Sequence, residues 1–290
     1  MNIDVLKSGW TEYELIDSGD RLKLERFGNV TVIRSEPKAW WKPSVSDLWR
    51  NADARYLDDE KKNAKWIFNG KPAAPAMIWN GVKFRTKFMD GTKHLGVFPE
   101  QSPHWDFIST AAKNFKSGEK PKLLNLFGYT GAATLAAAKG GFLATHVDAS
   151  KPSVDWARRN QIESGLADAP IRWIIDDALK FVKREERRNS LYDAIVLDPP
   201  AFGRGPKNEL WKLEKMLPEL LDSCSKILSK NPLFVIMTLY SIEASSIMAA
   251  NILGQFFASR KGAKIECGEL VLPSKFGYDL PLSIYAKATF

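Results

Sequence analysis

The sequence is poor in the side chains that build disulfides and metal centres, since its 290 residues include two cysteines and three histidines. Cys224 and Cys267 cannot form a disulfide framework or a four-ligand zinc site. His94, His104 and His146 have no metal-like spacing, so we expect no metal site. So low a thiol content is typical of a protein from a reducing compartment.

Long apolar runs are also missing. No stretch approaches the roughly 18–20 consecutive apolar residues that a membrane span requires. Residues 1–5 have neither the basic start nor the apolar run of a secretory signal. We therefore expect a cytoplasmic protein without a membrane partner.

Basic residues are in excess: 42 Lys and Arg stand against 34 Asp and Glu, for a net charge of +8. The hydrophobic fraction of 44% and charged fraction of 26% are ordinary for a globular protein and exclude a largely disordered chain. The excess charge fits either an ordinary lysine-rich surface or a surface that binds a polyanion such as RNA. Because basic residues recur within predicted folded segments, as in 83–87 and 184–188, a folded basic surface is favoured over a flexible arm.

Residues 1–92 read as a small β-rich domain. Residues 13–28 alternate apolar and polar side chains around Ser18-Gly19-Asp20, which predicts a β-hairpin. Further strands are predicted at 30–34, 66–68, 77–79 and 82–88, the last two separated by Asn80-Gly81. The tryptophans of this region are interpreted as core side chains, with stacking on nucleic-acid bases as the alternative.

Residues 93–290 form a second predicted domain in which strands and helices alternate. The nearly all-apolar strands predict an α/β fold, a doubly wound and mostly parallel sheet with helices on both faces. Strands are predicted at 123–127, 142–147, 171–175, 192–197, 233–239, 265–272 and 281–289. Helices are predicted at 104–115, 132–139, 152–164, 178–188, 208–228 and 242–259. In such sheets ligands bind at the carboxyl ends of strands, where the strand order reverses.

Two candidate ligand-binding elements follow the first two strands. A glycine turn, Phe127-Gly128-Tyr129-Thr130-Gly131, leads from a strand into a helix, where backbone can approach a ligand. It lacks the G-x-G-x-x-G pattern of dinucleotide sites. Asp148 follows the second strand, twenty residues after Gly128, where a carboxylate commonly accepts hydrogen bonds from ribose hydroxyls. Its alternative role is to cap the next helix, although Ser150 suits that role better.

Two acidic elements follow the third and fourth strands. Asp176-Asp177-Ala178 is suited either to reading an adenine amino group or to capping a helix. Asp198-Pro199-Pro200-Ala201-Phe202 combines a carboxylate, a rigid extended backbone with carbonyls expected to face the cleft, and an aromatic face. The exocyclic amine of a base could donate hydrogen bonds to the carboxylate and the carbonyls, while the base stacks on the aromatic ring.

Together these motifs resemble those of the class I S-adenosylmethionine-dependent methyltransferases over about residues 97–290. More narrowly, segments 124–131, 147–150, 156–160 and 197–202 are similar to those of the bacterial large-subunit (23S) ribosomal RNA methyltransferases. Members of that group methylate cytosine C5 or guanine N7. The resemblance implies a Rossmann-like sheet with an antiparallel last strand, S-adenosylmethionine as cofactor with S-adenosylhomocysteine as product, and a base of ribosomal RNA as acceptor.

The resemblance also implies roles for individual residues. Phe127 to Gly131 would line the methionine end of the cofactor, Asp148 would hold its ribose, and Asp177 would lie near its adenine. The full cofactor set is Phe127, Gly128, Tyr129, Thr130, Gly131, Asp148, Ala149, Asp177, Ala178, Asp198, Phe98 and Gln101. The residues expected to face the methyl acceptor, and so to be catalytic, are Asp198, Pro199, Pro200 and Phe202.

One departure from the family bears on the acceptor atom. Cytosine-C5 enzymes need a thiolate that attacks C6, and in the family a cysteine follows the fifth strand. Here that segment reads Thr238-Leu239-Tyr240-Ser241, and Cys224 is interpreted as a buried helix residue. A base nitrogen is therefore the favoured acceptor.

Other functions remain open from the sequence. A methyltransferase could act on a protein or a small molecule, because a fold does not choose its acceptor. An NAD-dependent oxidoreductase could use a similar sheet, and an RNA-binding protein could keep the fold without turnover. The sequence does not define the oligomeric state.

Overall fold

The computed structural model describes residues 2–58, 64–115, 118–240 and 242–290. The strands are β1 (Ile3–Lys7), β2 (Tyr13–Gly19), β3 (Leu22–Phe27), β4 (Val30–Ser35), β5 (Ala54–Leu57), β6 (Lys65–Phe68), β7 (Ala76–Trp79), β8 (Val82–Arg85), β9 (Lys122–Leu126), β10 (Leu143–Asp148), β11 (Ile171–Ile175), β12 (Ala194–Leu197), β13 (Phe202–Arg204), β14 (Leu210–Lys212), β15 (Phe234–Leu239), β16 (Lys264–Leu272) and β17 (Leu280–Thr289). The α-helices are α1 (Ser102–Ala111), α2 (Ala132–Lys139), α3 (Lys151–Glu163), α4 (Ala178–Arg187), α5 (Leu213–Lys226) and α6 (Ser246–Phe257). No helix in these described ranges is long and apolar enough to cross a membrane.

The chain divides into two units. The α/β unit comprises Met1–Leu6, His104–Glu269 and Ser283–Phe290, and the β-rich unit comprises Lys7–Pro103 and Leu270–Leu282. This division differs from the predicted boundary between residues 92 and 93. Strand β1 belongs mainly to the α/β unit, and Leu270–Leu282 belongs to the β-rich unit. Both placements result from pairing between residues that are far apart in the sequence.

The α/β unit is built on a sheet with the strand order β1-β16-β17-β15-β12-β9-β10-β11. Strands β15, β12, β9, β10 and β11 pair in parallel, and β17 runs antiparallel to β15. Every residue of β12 and β15 is buried, which is the burial expected of parallel strands covered on both faces. The predicted doubly wound sheet with an antiparallel last strand is confirmed.

The sequence order of the strands reverses between β9 and β12. From β9 the chain proceeds outward through β10 and β11, then crosses to β12 and β15 on the other side. Leu126 at the end of β9 pairs with both Val147 of β10 and Leu197 of β12. The loops after these three strands therefore begin at one level of the same sheet edge, where ligands of doubly wound sheets bind.

Local signals place most helices where they were predicted. Helix α3 begins at its predicted cap, because the Ser150 hydroxyl accepts the N–H of Ser153 at 3.3 Å, and Pro152 lies in the first turn. The helix predicted from residue 208 is wrong at its start. Helix α5 begins at Leu213, since residues 202–212 form the β13–β14 hairpin instead.

The β-rich unit contains the sheet β2-β3-β4-β5-β6 and the separate hairpin β7-β8. The predicted hairpin of residues 13–28 forms, and Asp20 and Arg21 take the left-handed conformation in its turn. Trp10, Trp66 and Trp79 are buried, as the core interpretation of the tryptophans predicts. Trp41 and Trp49 are half-buried, and Trp40 departs most from this interpretation, with 78% of its surface exposed.

Candidate active site

The glycine turn after β9 has an unusual backbone. Phe127 and Tyr129 have φ angles of 57° and 49°, in the left-handed region that non-glycine residues seldom adopt. Three hydrogen bonds hold this conformation. The N–H of Gly128 donates to Val147 O, the N–H of Tyr129 donates to Asp148 Oδ2, and Asn160 Nδ2 donates to Thr130 O. Strand β10 and helix α3 thus fix the turn before any ligand arrives.

The two glycines of the turn are required by packing. A methyl group built at Gly128 would overlap the ring of His146, and one at Gly131 would lie 2.9 Å from Ala157 Cβ. Gly131 also has a φ of 90°, which favours glycine. We expected these glycines to let backbone approach a ligand, but their missing side chains make room for β10 and α3.

His146 is part of a buried polar chain beneath the turn. The Thr134 hydroxyl bridges Asn125 Nδ2 at 2.8 Å and His146 Nδ1 at 2.9 Å. Burial lowers the pKa of His146 to about 3, so the ring is neutral at physiological pH. The Trp173 ring lies 4.7 Å away, centroid to centroid. The sequence analysis excluded His146 as a metal ligand but gave no sign that it supports the turn.

Asp148 lies at the end of β10 beside the turn. Its Oδ2 accepts the N–H of Tyr129 and its Oδ1 accepts the N–H of Ser150, both at 2.8 Å. Burial raises the pKa of Asp148, while these two main-chain hydrogen bonds act in the opposite direction. Each carboxylate oxygen keeps a lone pair. The group can therefore accept two further hydrogen bonds, as a vicinal diol would provide, next to Ala149.

Asp177 acts as a helix cap in the structure. Its Oδ1 accepts the N–H of Lys180 at 2.9 Å, and Ala178 is the first residue of α4. The neighbouring Asp176 accepts the N–H of Asp177 and binds Arg184 Nη2 at 2.5 Å. The structure thus shows the capping role that the sequence offered as the alternative for Asp177. A position of Asp177 near the adenine stays a prediction.

The segment from Asp198 to Phe202 follows β12 at the same sheet edge. Pro199 is buried, Asp198 and Pro200 are half-buried, and Phe202 is 56% exposed. Contrary to expectation, the carbonyl of Pro200 is already used, since it accepts Trp211 Nε1–H at 2.7 Å. The segment thus presents an exposed aromatic ring four residues after a carboxylate.

Trp211 connects this segment to the glycine turn, and the sequence analysis missed it. Besides its bond to Pro200, its ring lies 4.9 Å from that of Phe127, centroid to centroid. Trp211 is buried in β14, a strand of three residues that was predicted as helix. The strand burial alternates around Trp211, but the sequence Leu210-Trp211-Lys212 gave no such signal, because its first two residues are both apolar.

Two other predicted residues belong to the β-rich unit. Phe98 precedes the short 3-10 helix Pro99–Gln101, which ends at Gln101. The Phe98 ring lies 5.1 Å from that of His94, centroid to centroid. A role for Phe98 and Gln101 beside the cofactor remains a prediction.

Both cysteines are buried and unpaired. Cys224 lies in α5, where burial raises the pKa of its thiol, and Cys267 lies in β16. Thr238 and Leu239 end β15, while Ser241 falls outside the described residues. Neither cysteine belongs to the segments at the carboxyl edge of the sheet.

No protein-family model matches the chain. A solved structure does: the chain is 40% identical to the S-adenosylmethionine-dependent methyltransferase from Agrobacterium tumefaciens. The match covers 100% of this chain and 94% of that one, with a TM-score of 0.93. The chain belongs to the S-adenosylmethionine-dependent methyltransferases. The cofactor is therefore S-adenosylmethionine, and the alternative of an NAD-dependent oxidoreductase is rejected.

The methyltransferase is also similar to curated proteins. It is 35% identical over 49% of its length to the ribosomal RNA large subunit methyltransferase I of Pseudoalteromonas translucida. It is 25% identical over 73% of its length to the ribosomal RNA large subunit methyltransferase K of Neisseria meningitidis. The methyltransferase spans 34% and 61% of the lengths of these two relatives.

The residues of the sheet edge fit the cofactor of the methyltransferase. Asp148 offers free lone pairs to two hydroxyls from a position fixed by two main-chain bonds. The turn beside it is held in its conformation by β10 and α3. Within the described residues no group of three or more His, Cys, Asp or Glu side chains is placed to hold a metal ion.

Proposed function

We propose that this enzyme transfers a methyl group from S-adenosylmethionine to a nitrogen of a base in ribosomal RNA. The observation that carries the proposal is the Asp198–Phe202 segment, a carboxylate followed by an exposed aromatic ring at the edge that holds the cofactor turn. Trp211 joins the two, because it bonds to Pro200 and packs on Phe127. Acceptor and methyl donor would thus meet at a rigid junction.

The cofactor half of the site positions the methyl donor. Asp148 would accept hydrogen bonds from the two ribose hydroxyls, next to Ala149. Phe127 to Gly131 would line the methionine end, and Asp177 and Ala178 would lie near the adenine. When bound, S-adenosylmethionine supplies a methyl group on a sulfonium that leaves as a neutral thioether.

The acceptor half orients the base. Phe202 would stack on the base, since an exposed aromatic ring binds the face of any base. Asp198 would accept a hydrogen bond from the amine, which directs the nitrogen lone pair at the methyl carbon. As the new C–N bond forms and the bond from carbon to the sulfonium breaks, the nitrogen becomes more acidic, and Asp198 would accept its proton. The residues then act mainly by alignment and by excluding water.

A nitrogen acceptor is favoured over cytosine C5 on chemical grounds. Attack at C5 needs a thiolate adduct at C6. The thiol of Cys224 is fully buried in α5, and its raised pKa disfavours the thiolate. A base nitrogen carries its own lone pair and needs no such adduct.

Ribosomal RNA is proposed as the substrate on two grounds. The similar curated proteins are named as methyltransferases of large-subunit ribosomal RNA. The net charge of +8 also favours a polyanionic partner. Such a substrate would place the enzyme in the cytoplasm with the ribosomes.

The first test of this function is calorimetric titration with S-adenosylmethionine and S-adenosylhomocysteine. We expect micromolar binding by the wild-type protein and at least a tenfold loss in the Asp148→Ala variant. Asp168→Ala serves as the control, because Asp168 is an exposed carboxylate outside the sheet edge. If well-folded wild-type protein binds neither ligand, the proposal fails.

Methyl transfer itself is tested with radiolabelled cofactor and ribosomal RNA from a strain that lacks the gene, with the product base identified by mass spectrometry. Phe202→Ala should lower turnover roughly tenfold or more while leaving affinity for S-adenosylhomocysteine unchanged, because the ring is assigned to the acceptor. Label in C5-methylcytosine would refute the nitrogen assignment. RNA binding without any transfer would support an RNA-binding protein that has lost turnover.

A further inference from the structure

We propose that one face of the β-rich unit is a docking surface for single-stranded RNA. This inference rests on the proposed RNA substrate and extends it to a surface that none of the residues assigned above occupies. The surface, called here the aromatic face, consists of Trp40, Tyr278 and Phe276 together with Arg21, Lys42 and Lys275.

The aromatic face is formed by three chain segments of the β-rich unit. The N–H of Asp20 donates to Trp41 O, and the N–H of Arg21 donates to Ala39 O, both at 2.7 Å. The N–H of Phe276 donates to Ile16 O at 3.2 Å. The rings of Trp41 and Tyr278 are 5.7 Å apart, centroid to centroid. The β2–β3 turn, the segment after β4 and the segment after β16 therefore meet at one place.

A buried carboxylate holds this place rigid. Asp17 is fully buried, and its Oδ2 accepts the N–H groups of Ser44 and Val45 and Nε1–H of Trp49, all within 3.0 Å. Gly277 packs directly against Asp17, where a side chain would leave only 2.6 Å to Oδ1. The segments on either side of the exposed rings are thus anchored, which lowers the entropy cost of binding.

The exposed rings are held in position although water surrounds them. Trp40 is 78% exposed, yet its Nε1–H donates to Pro37 O at 2.7 Å. Tyr278 is 64% exposed and Phe276 is 47% exposed. Fixed aromatic faces are the platforms on which unpaired bases stack.

Cations accompany two of the three exposed rings. The Arg21 guanidinium lies 6.0 Å from the centroid of Trp40, and Lys275 Nζ lies 5.4 Å from that of Phe276. Lys42 pairs with Asp20 at 2.9 Å, but both side chains are at least half exposed. Such an exposed pair contributes little energy and readily exchanges one anion for another. Phosphates could therefore take the place of Asp20.

A surface that combines aromatic rings with exposed cations matches single-stranded RNA better than other partners. A duplex keeps its bases stacked on each other, so it would leave these rings unused. A second copy of the chain would bring the same positive groups to the contact. A single strand offers both bases for the rings and phosphates for Arg21, Lys42 and Lys275.

The test measures binding of a fluorescent single-stranded RNA 12-mer to the full-length protein at several salt concentrations. We expect Trp40→Ala and Tyr278→Ala each to weaken binding roughly tenfold. Arg21→Gln should lower the slope of log affinity against log salt by about one. The controls are Phe68→Ala, an exposed aromatic residue on β6, and Lys71→Gln, an exposed cation, neither of which should change affinity.

Two further measurements separate this inference from the proposed function. The Trp40→Ala variant should bind S-adenosylhomocysteine like the wild type, melt at the same temperature and show a raised KM for RNA at nearly unchanged kcat. If the wild type methylates RNA while Trp40→Ala and Tyr278→Ala bind RNA normally, the docking role of the aromatic face is refuted. The proposed methyl transfer then still stands. The inference would also be refuted if these variants lost duplex RNA binding as much as single-stranded RNA binding. A change in self-association of the protein alone would refute it as well.

Discussion

The two units of this methyltransferase differ in how deeply their ion pairs are buried. In the α/β unit, side chains of β9, β12, β15 and helices α4 to α6 form a buried apolar cluster. The β-rich unit also has a buried apolar core, part of which is formed by Ile16, Leu24 and Ile33, and buried charges lie beside it. Glu25 is fully buried and accepts Arg34 Nε and Nη2, both at 2.6 Å.

The difference sets how each unit responds to change. Trimming one apolar side chain costs a graded amount that depends on how far its neighbours relax. Removing one partner of a buried ion pair leaves an uncompensated charge, which costs more than the pair itself contributes. A single charge substitution at the Glu25–Arg34 pair should therefore strongly destabilise the β-rich unit.

The largest expected effect is that of Arg34→Met. It leaves Glu25 buried with its main partner missing, so we expect the β-rich unit to lose about 3–5 kcal/mol of stability. The control, Arg50→Met, removes an ion pair whose side chains are 78% and 87% exposed and should cost less than about 1 kcal/mol. Hydrogen exchange of β3 and β4 in urea measures both. If Arg34→Met and Arg50→Met both lost a similar, small amount of stability, the contrast between the units would be contradicted.

The pH dependence should reverse between wild type and this variant. Burial acts to raise the pKa of Glu25, but Arg34 and Lys23 outweigh it, and the pKa lies below its ordinary value of 4.5. The contribution of this pair is thus present above pH 4.5 and is lost as the pH falls through the folded-state pKa.

In Arg34→Met, burial acts on Glu25 against only Lys23 and the hydrogen bond from the Tyr13 hydroxyl, and burial should then raise the pKa of Glu25 above its ordinary value. Acidification from pH 7 toward 5 should therefore stabilise the variant more than the wild type. Glu100, whose pKa burial raises and Arg34 lowers, should change in the same direction as Glu25 when Arg34 is removed. Parallel pH profiles would show that Arg34 does not control the ionisation of Glu25.

In the α/β unit, steric fit should matter more than charge. Gly128→Ala would force the added methyl group into the His146 ring, and overpacking costs about 1–3 kcal/mol. We expect affinity for S-adenosylhomocysteine to fall about tenfold, because the turn must move.

A second substitution tests that cause. Adding His146→Ala removes the ring and should restore part of the lost affinity, which a double-mutant cycle measures. Gly254→Ala in α6 is the matched control, since its nearest neighbour would be 4.0 Å away and helix propensity favours alanine. If the losses of affinity from Gly128→Ala and His146→Ala simply add in the double variant, the clash with the His146 ring is not the cause.

The smallest effect concerns Asp177. Asp177→Ala should cost about 1 kcal/mol of stability, because α4 loses its cap. Asp177→Ser retains a capping oxygen and should restore that stability. If Asp177 also contacts the adenine, the serine variant will keep a weakened affinity for S-adenosylmethionine. Full recovery of affinity would leave capping as its role.

The parallel sheet could be predicted because each βα unit carries its own local signals. Strands such as β12 are short apolar runs, and α3 has Ser150 at its cap and Pro152 in its first turn. These signals also placed Asp148 and Asp198 at the ends of their strands, and hence at one sheet edge.

Features that depend on distant partners could not be predicted in the same way. Leu210, Trp211 and Lys212 show no apolar–polar alternation and span too few residues to outweigh the helical pattern that follows them. Only the partner strand β13 makes this segment a strand, and only the fold brings Trp211 to Phe127. The packing of Gly128 on His146 likewise joins residues from two strand ends.

The interleaving of the two units along the chain bears on the order in which a ribosome can complete them. The β-rich unit begins at Lys7 but needs Leu270–Leu282, where Val271 O accepts Ser8 N–H and Leu15 O accepts Lys275 N–H. The unit whose synthesis starts first must wait until residue 282 has emerged from the ribosome. Vectorial synthesis therefore completes both units late, since the α/β unit needs Ser283–Phe290 as well.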